Sequence, residues 1–259
     1  MTRPVAVITG GSAGIGYAIA EVLGGGDFDV VIVARNADRL EAAKARLAGG
    51  TGHKVVAVPA DTRDQEQVDA LMALVLDQFG RIDVLVNCAA NPSAVAGAVE
   101  AVQSERLLDD LNTKVVGYVR CAKAAVPAMK AQRQGRIVNI GGLTGRGSES
   151  LSGLRNVAVS HLTKTLADEL GPFGITVNAI HPGIVRTPHL DELFEEEADK
   201  RRIGVDEVEA GFVERIPIRR VLTPAEIGMV VAFLVSSAGA GITGESIAVD
   251  GGYSRGVYL

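Results

Sequence analysis

The run TGGSAGIG, Thr9 to Gly16, stands between the apolar segment VAVI (5–8) and the helix-like YAIAEVLGG (17–25). Glycines at 10, 14 and 16 let the backbone turn sharply and come close to a diphosphate. The helix beyond would offer that diphosphate free N–H groups and a positive dipole end. Taken alone, such a cluster is a tight turn. Its weight comes from its place between the first strand and the first helix of a chain that goes on alternating. Gly10, Ser12, Gly14, Ile15 and Gly16 are therefore expected to cradle the phosphates of a dinucleotide.

The alternation runs the length of the chain. VAVITG (5–10), DVVIVA (29–34), KVVAVPA (54–60), DVLVNCA (83–89), GRIVNIG (135–141), ITVNAIHPG (175–183) and SIAVDGG (246–252) read as strands. Between them lie helical patterns such as DRLEAAKARLA, DQEQVDALMALVLDQFG and LLDDLNTKVVGYVRCAKAAVPAMKAQ. Continuously apolar strands separated by helices predict a parallel sheet covered on both faces. The expected class is α/β, a three-layer doubly wound (Rossmann) parallel sheet forming a single domain over residues 1–259. One long interruption, 186–220, carries DELFEEEADKRR and EVEAGFVERI and reads either as a lid over a cleft or as a solvated helix pair.

Composition narrows the partners. The 259 residues are 47% hydrophobic and 22% charged, enough for a sizeable core, and the net charge is −5. That balance argues against nucleic acid or an anionic membrane as a partner. The chain opens on a strand-like run, and no apolar stretch reaches spanning length, so a cytoplasmic protein is expected. Cys88 and Cys121 are too few for a disulfide framework, lack metal-ligand spacing, and read as small buried thiols.

The end of the second strand bears on which nucleotide is bound. A cofactor without a 2′-phosphate usually meets an acidic residue there, bonded to its ribose hydroxyls. Here the sequence reads Ala34-Arg35-Asn36. A guanidinium in place of a carboxylate favours NADP(H) over NAD(H).

With these residues in view, the chain resembles the short-chain dehydrogenase/reductase family. TGGSAGIG, the aspartate of ADT (Asp61), NCAA (87–90), LNT (111–113), GRIVNIGG, HPGIVRT and the terminal VDGG fall in that family's order and spacing. The likeness is greatest to the acyl-carrier-protein reductase branch and covers essentially the whole chain. It implies that Asp61, with Thr62 beside it, caps the adenine and that Asn87 to Ala90, Ala89 among them, line the cofactor. It implies too that Pro182, Gly183 and Thr187 hold the nicotinamide carboxamide, and that Asn112 organises a proton-relay water. A small-molecule or acyl-type substrate and a homotetramer or homodimer are implied as well.

The catalytic positions depart from the family. Its members carry a serine after the fifth strand, then a tyrosine, then a lysine four residues on. Hydride addition to a carbonyl carbon needs a proton donor at the oxygen; the tyrosine donates, the lysine lowers its pKa, and the serine bonds the carbonyl. Counting back from HLTKTLADEL puts Ser152 at the tyrosine and Asn156 at the lysine. Counting forward from IVNIGG puts Gly142 at the serine, then Arg155 and Val159 at the other two. Neither count supplies a tyrosine or a lysine.

Substitutes are few. Ser152 lacks an activating base, and Asn156 can bond ribose hydroxyls but carries no charge. His181, just before Pro182-Gly183, is the best surrogate acid by position and by its near-neutral pKa. Glu149 is a second candidate, and Tyr253 and Tyr258 of the tail a third. Lys114 and Tyr118 share the spacing of four, but in reversed order and on another helix, and read as coincidence. Three functions stay open: an NADP(H)-dependent oxidoreductase with an atypical proton donor, a non-redox enzyme of elimination or isomerisation, or a catalytically silent nucleotide-binding protein. Lid residues Leu190, Leu193, Phe194 and Phe212 suggest an apolar component in the substrate.

Overall fold

Apolar residues dominate the central strands on both of their faces because both faces of the sheet are covered. The computed structural model describes residues 3–51, 53–91, 95, 98–146 and 150–256. Strands β1 (Val5–Thr9), β2 (Asp29–Ala34), β3 (Val55–Pro59), β4 (Val84–Asn87), β5 (Gly135–Ile140), β6 (Ile175–Pro182) and β7 (Ser246–Val249) form one sheet in the order β3-β2-β1-β4-β5-β6-β7. Every pairing is parallel. The strand order reverses between β1 and β4, which opens a crevice at their carboxyl ends, where such sheets bind ligands.

Residue alternation within each strand feeds two cores. Ala6 and Ile8 of β1, with Val30, Ile32, Val84, Val86, Val138 and Ile180, pack under helices α1 (Gly14–Gly25), α2 (Ala37–Thr51) and α9 (Pro224–Val235). Val5 and Val7, with Val31, Val33, Leu85, Ile137 and Val177, face α3 (Gln65–Phe79), α5 (Gly117–Gln132) and α6 (Gly153–Leu170). A one-residue slip in any strand would exchange its two faces, so the register is fixed twice over. Among the described residues no helix is long and apolar enough to cross a membrane.

Two features depart from the sequence reading. The segment 107–132, expected as one helix, is α4 (Ser104–Leu111), a π-helical turn (Asn112–Val116), and then α5. A π turn holds one extra residue and rotates the side chains after it, and such turns concentrate at functional sites. The 186–220 segment is a helical hairpin, α7 (Pro188–Arg201) and α8 (Val205–Val213), with a small core of its own. Phe194 and Phe212 stack at 5.1 Å there, beside Ala198, Val208 and Leu190. Those aromatic side chains hold the hairpin together; the expectation that they meet a substrate does not fit their placement.

Candidate functional site

The phosphate-binding turn is built so that only glycine fits. Gly10 and Gly14 have φ of 71° and 54°, in the left-handed region. A Cβ on Gly16 would lie 2.3 Å from the Gly10 carbonyl oxygen, and one on Gly10 would lie 3.0 Å from the Cys88 carbonyl oxygen. Backbone therefore closes on backbone, leaving the outer side of the turn for a ligand. Ala13, the N-cap of α1, brings no side-chain acceptor, so the first N–H groups of α1 are left to that ligand. Ser12 and Ile15 are half-buried within the turn. Thr187 comes down on it from the hairpin: a Cβ on Gly14 would lie 3.5 Å from its methyl group, while its hydroxyl caps α7.

Around the crevice the other expected cofactor residues take definite places. Arg35 is exposed at the end of β2, near enough for its charge to act on Asp61. The Asp61 carboxylate is gripped by Arg63, whose Nη2 donates at 2.7 Å and whose Nε donates at 3.0 Å to the same oxygen. That grip holds it below the usual carboxylate range. Arg63 also donates to Asp109 at 3.0 Å. Thr62 is buried against Gly117 of α5. The backbone N–H groups of Cys88 and Ala89 both donate to the Thr9 hydroxyl, at 3.0 and 3.1 Å, tying the end of β4 to β1. Pro182 ends β6, and Gly183 packs on the terminal VDGG; a Cβ there would lie 2.6 Å from the Asp250 Cα.

A row of polar side chains closes the α5–α6 face of the sheet at this end. Asn87 donates to the Asn139 side-chain oxygen at 2.9 Å, and Asn139 donates to the Thr163 hydroxyl of α6 at 2.9 Å. His181 continues the row. Its Nε2 lies 2.9 Å from the Ser160 hydroxyl, and its Nδ1 lies 3.2 and 3.1 Å from the Gly142 nitrogen and oxygen. The ring is buried at 2% exposure with both nitrogens engaged. The expected surrogate acid is thus a brace between β6, α6 and the end of β5.

The residues at the tyrosine and lysine positions are spoken for as well. Ser152 is 2% exposed; its hydroxyl accepts from the Val95 N–H at 2.8 Å and lies 3.4 Å from Asp110. It fastens Val95 to the start of α6 and presents no free hydroxyl to a carbonyl. Asn156 donates to the Thr144 hydroxyl at 2.8 Å, and its Oδ1 is buried with no partner among the described residues. A Cβ on Gly142 would lie 2.8 Å from the Asn156 amide nitrogen, so the missing serine and the asparagine share one space. Asn112 turns away from all of this. Its Oδ1 accepts from Arg120 at 3.0 Å, and Arg120 also reaches the Thr62 carbonyl, so Asn112 does not stand where the relay was expected.

The residue facing the end of β5 is Lys114, two positions further along the π turn. It is 4% exposed, and its Nζ donates to the Gly141 carbonyl at 2.7 Å. One helical step on, the fully buried Tyr118 donates to the Ile140 carbonyl at 2.9 Å. The pair dismissed as coincidence lies on one helix face at the end of β5. Asp110 is bonded to Arg155, which also donates to the Asn91 carbonyl. Burial, helped by the Arg155 charge, pushes the Lys114 pKa down to about 7, and burial pushes the Cys88 thiol up to about 12. The reversed order and different helix hid Lys114 from a search for the usual pattern; a lysine in an otherwise apolar helical stripe was the signal available.

Of the remaining candidates, Tyr253 lies under the Arg215 guanidinium at 4.7 Å, beyond α8, while Glu149 and Tyr258 fall outside the described residues. Among the described residues no three His, Cys, Asp or Glu side chains could hold a metal together.

Comparisons with known proteins agree with this fold. Residues 10–254 match the family model described as enoyl-(acyl carrier protein) reductase. The chain is 36% identical over 253 residues to the short-chain reductase protein NovJ of Streptomyces niveus, covering 96% of this chain and 93% of that one. It is 31% identical over 261 residues to the NADPH-dependent reductase BacG of Bacillus subtilis, covering 99% and 100%. Among solved structures, L-sorbose reductase from Gluconobacter frateurii, in complex with NADPH and L-sorbose, superposes with a TM-score of 0.93 at 31% identity over 99% and 98% of the two chains. The chain belongs to the short-chain dehydrogenase/reductase family, over nearly its whole length.

Proposed function

We propose that this protein is an NADP(H)-dependent oxidoreductase that reduces the carbonyl of a small-molecule or acyl-type substrate, or oxidises the corresponding alcohol, without the family's tyrosine. The observation that carries the reading is the intact glycine cradle, so closely folded that a Cβ on Gly16 would lie 2.3 Å from the Gly10 carbonyl oxygen, and open outward at the start of α1. The buried, unpartnered Asn156 Oδ1 fits a ribose hydroxyl at the far end of the same crevice. When bound there, the cofactor supplies the hydride. Gly10 to Gly16 and the start of α1 hold the diphosphate, Arg35 faces the 2′-phosphate, Asn87 and Ala89 line the nicotinamide half, and Thr187, with Pro182 and Gly183, closes over it. NADPH dependence in BacG and the NADPH complex of the sorbose reductase support this choice of cofactor.

A homotetramer or homodimer in the cytoplasm is the state we propose. Exposed Leu154 and Val157 on α6 and Met229 and Phe233 on α9 supply apolar faces for assembly. Thermal shifts with NADPH and NADH test the cofactor reading. At a hundredfold excess over its Kd a ligand stabilises by about 2.7 kcal/mol, about 5–11 °C for a domain of this size. NADPH is expected to give that shift at lower concentration than NADH; no shift with either would end the reading.

A further inference from the structure

The reductase reading leaves one chemical need unmet, a proton for the carbonyl oxygen, and Ser152 and His181, both expected near it, are engaged elsewhere. Ser152 is held by Val95 and Asp110, and the His181 ring by Ser160 and Gly142. We infer that Lys114 is the catalytic acid, donating from Nζ at the junction of the β4 and β5 ends to the oxygen of the substrate carbonyl. The inference rests on the oxidoreductase reading above.

Three observations place the group. The π turn Asn112–Val116 aims residue 114 at β5 and leaves Asn112 on the far side. The Nζ reaches the Gly141 carbonyl, one residue beyond β5, at the carboxyl end of the sheet, close enough to Cys88, just beyond β4, for the two to interact. An ammonium has three N–H bonds, and among the described residues Gly141 is its one hydrogen-bond acceptor.

The charges around Lys114 do not neutralise it. From α4 comes Asp110, which Arg155 of α6 already pairs. The end of β4 offers the Cys88 thiol, pushed up by burial and uncharged at neutral pH. His181 of β6 stands one residue away, at Gly142, and Tyr118 on its own helix is held neutral by burial. A lysine so placed loses its proton near neutrality, the range in which a general acid works best. The step balances: hydride forms the new C–H bond, the carbonyl π pair moves to oxygen, and the oxygen takes a proton from Lys114. The neutral amine left behind regains a proton from solvent water.

Two readouts test this. In the wild-type enzyme with NADPH and an activated ketone, kcat/KM is expected to fall about tenfold per pH unit above roughly pH 7. Lys114→Met should lower it about 10² to 10⁴-fold and flatten the profile while still binding NADPH. Lys114→Arg keeps the charge but holds its protons too tightly to give one up near neutrality, so it should stay slow; near-wild-type rates in it would make Lys114 structural and overturn the proposal. The second readout needs no turnover and no variant. In lysine labelled with carbon-13 at Cε, with NADP⁺ present, one resonance should titrate near pH 7, since every other lysine is exposed or half-buried. All lysines titrating above pH 9, or a flat wild-type profile, would overturn the inference. A wild type that consumes no NADPH with any carbonyl would instead sink the oxidoreductase reading itself, and this inference with it.

Discussion

Arg35 stands at the end of β2, where a carboxylate would select the unphosphorylated cofactor, and it is exposed with its charge reaching Asp61. A guanidinium meeting a phosphate makes a charge-assisted, bidentate contact; at an exposed site about 1.4 kcal/mol is a reasonable share. Arg35→Ala should therefore weaken NADPH binding about tenfold and leave NADH binding unchanged, as read by fluorescence titration. Other residues were less legible. Gly16 could be read from the sequence because a short spacing of glycines after a strand has one steric meaning. Ser152, Asn112 and His181 could not, since each was assigned by its position along the chain while its role depends on where the side chain points. Ser152 points to Val95, Asn112 to Arg120, and His181 to Ser160. Val95 and Ser160 are far from Ser152 and His181 in sequence, and Arg120 lies eight residues from Asn112 across the π turn, so no local pattern signals them.

At the scale of elements, strands were the most legible and helix irregularities the least. All seven strands fall within the runs read from β-branched residues, because burial on both faces forces a continuous apolar signature. The π turn carries no such signature: its sequence NTKVV continues a helical pattern, and the extra residue shows only in three dimensions. Helix α9 opens on TPAE. Thr223 and Glu226 form a reciprocal capping box there, Pro224 occupies the first turn, and Arg220 holds the Glu226 carboxylate down at about 2. Thr223→Ala should cost about 1 kcal/mol and lower Tm by roughly 2–4 °C, measured by calorimetry. Cofactor affinity should not change, since the Thr223 side chain bonds Glu226 and no residue of the glycine turn.

For the whole molecule, a buried lysine without its own carboxylate is a cost that the fold carries. Folding lowers its pKa from the ordinary 10.5 to about 7, so below pH 7 it is charged in both states and its burial penalty is fully felt. Between about 7 and 10.5 the folded state has shed the proton that the unfolded state still binds, and stability rises with pH across that window. Any stability gained by Lys114→Met should accordingly be larger at pH 6 than at pH 10, by thermal denaturation; an equal difference at both would contradict the burial argument. Proteins commonly keep such a destabilising group where activity needs it. The central claim, that this chain transfers hydride although its tyrosine and lysine positions are Ser152 and Asn156, is tested most directly by a single-turnover experiment. Wild-type protein is loaded with one equivalent of NADPH, mixed with a panel of activated ketones, and followed by loss of the reduced nicotinamide together with product identification. The account predicts NADPH consumption with stoichiometric alcohol for at least one ketone. NADPH that binds tightly and stays reduced against the whole panel would contradict it.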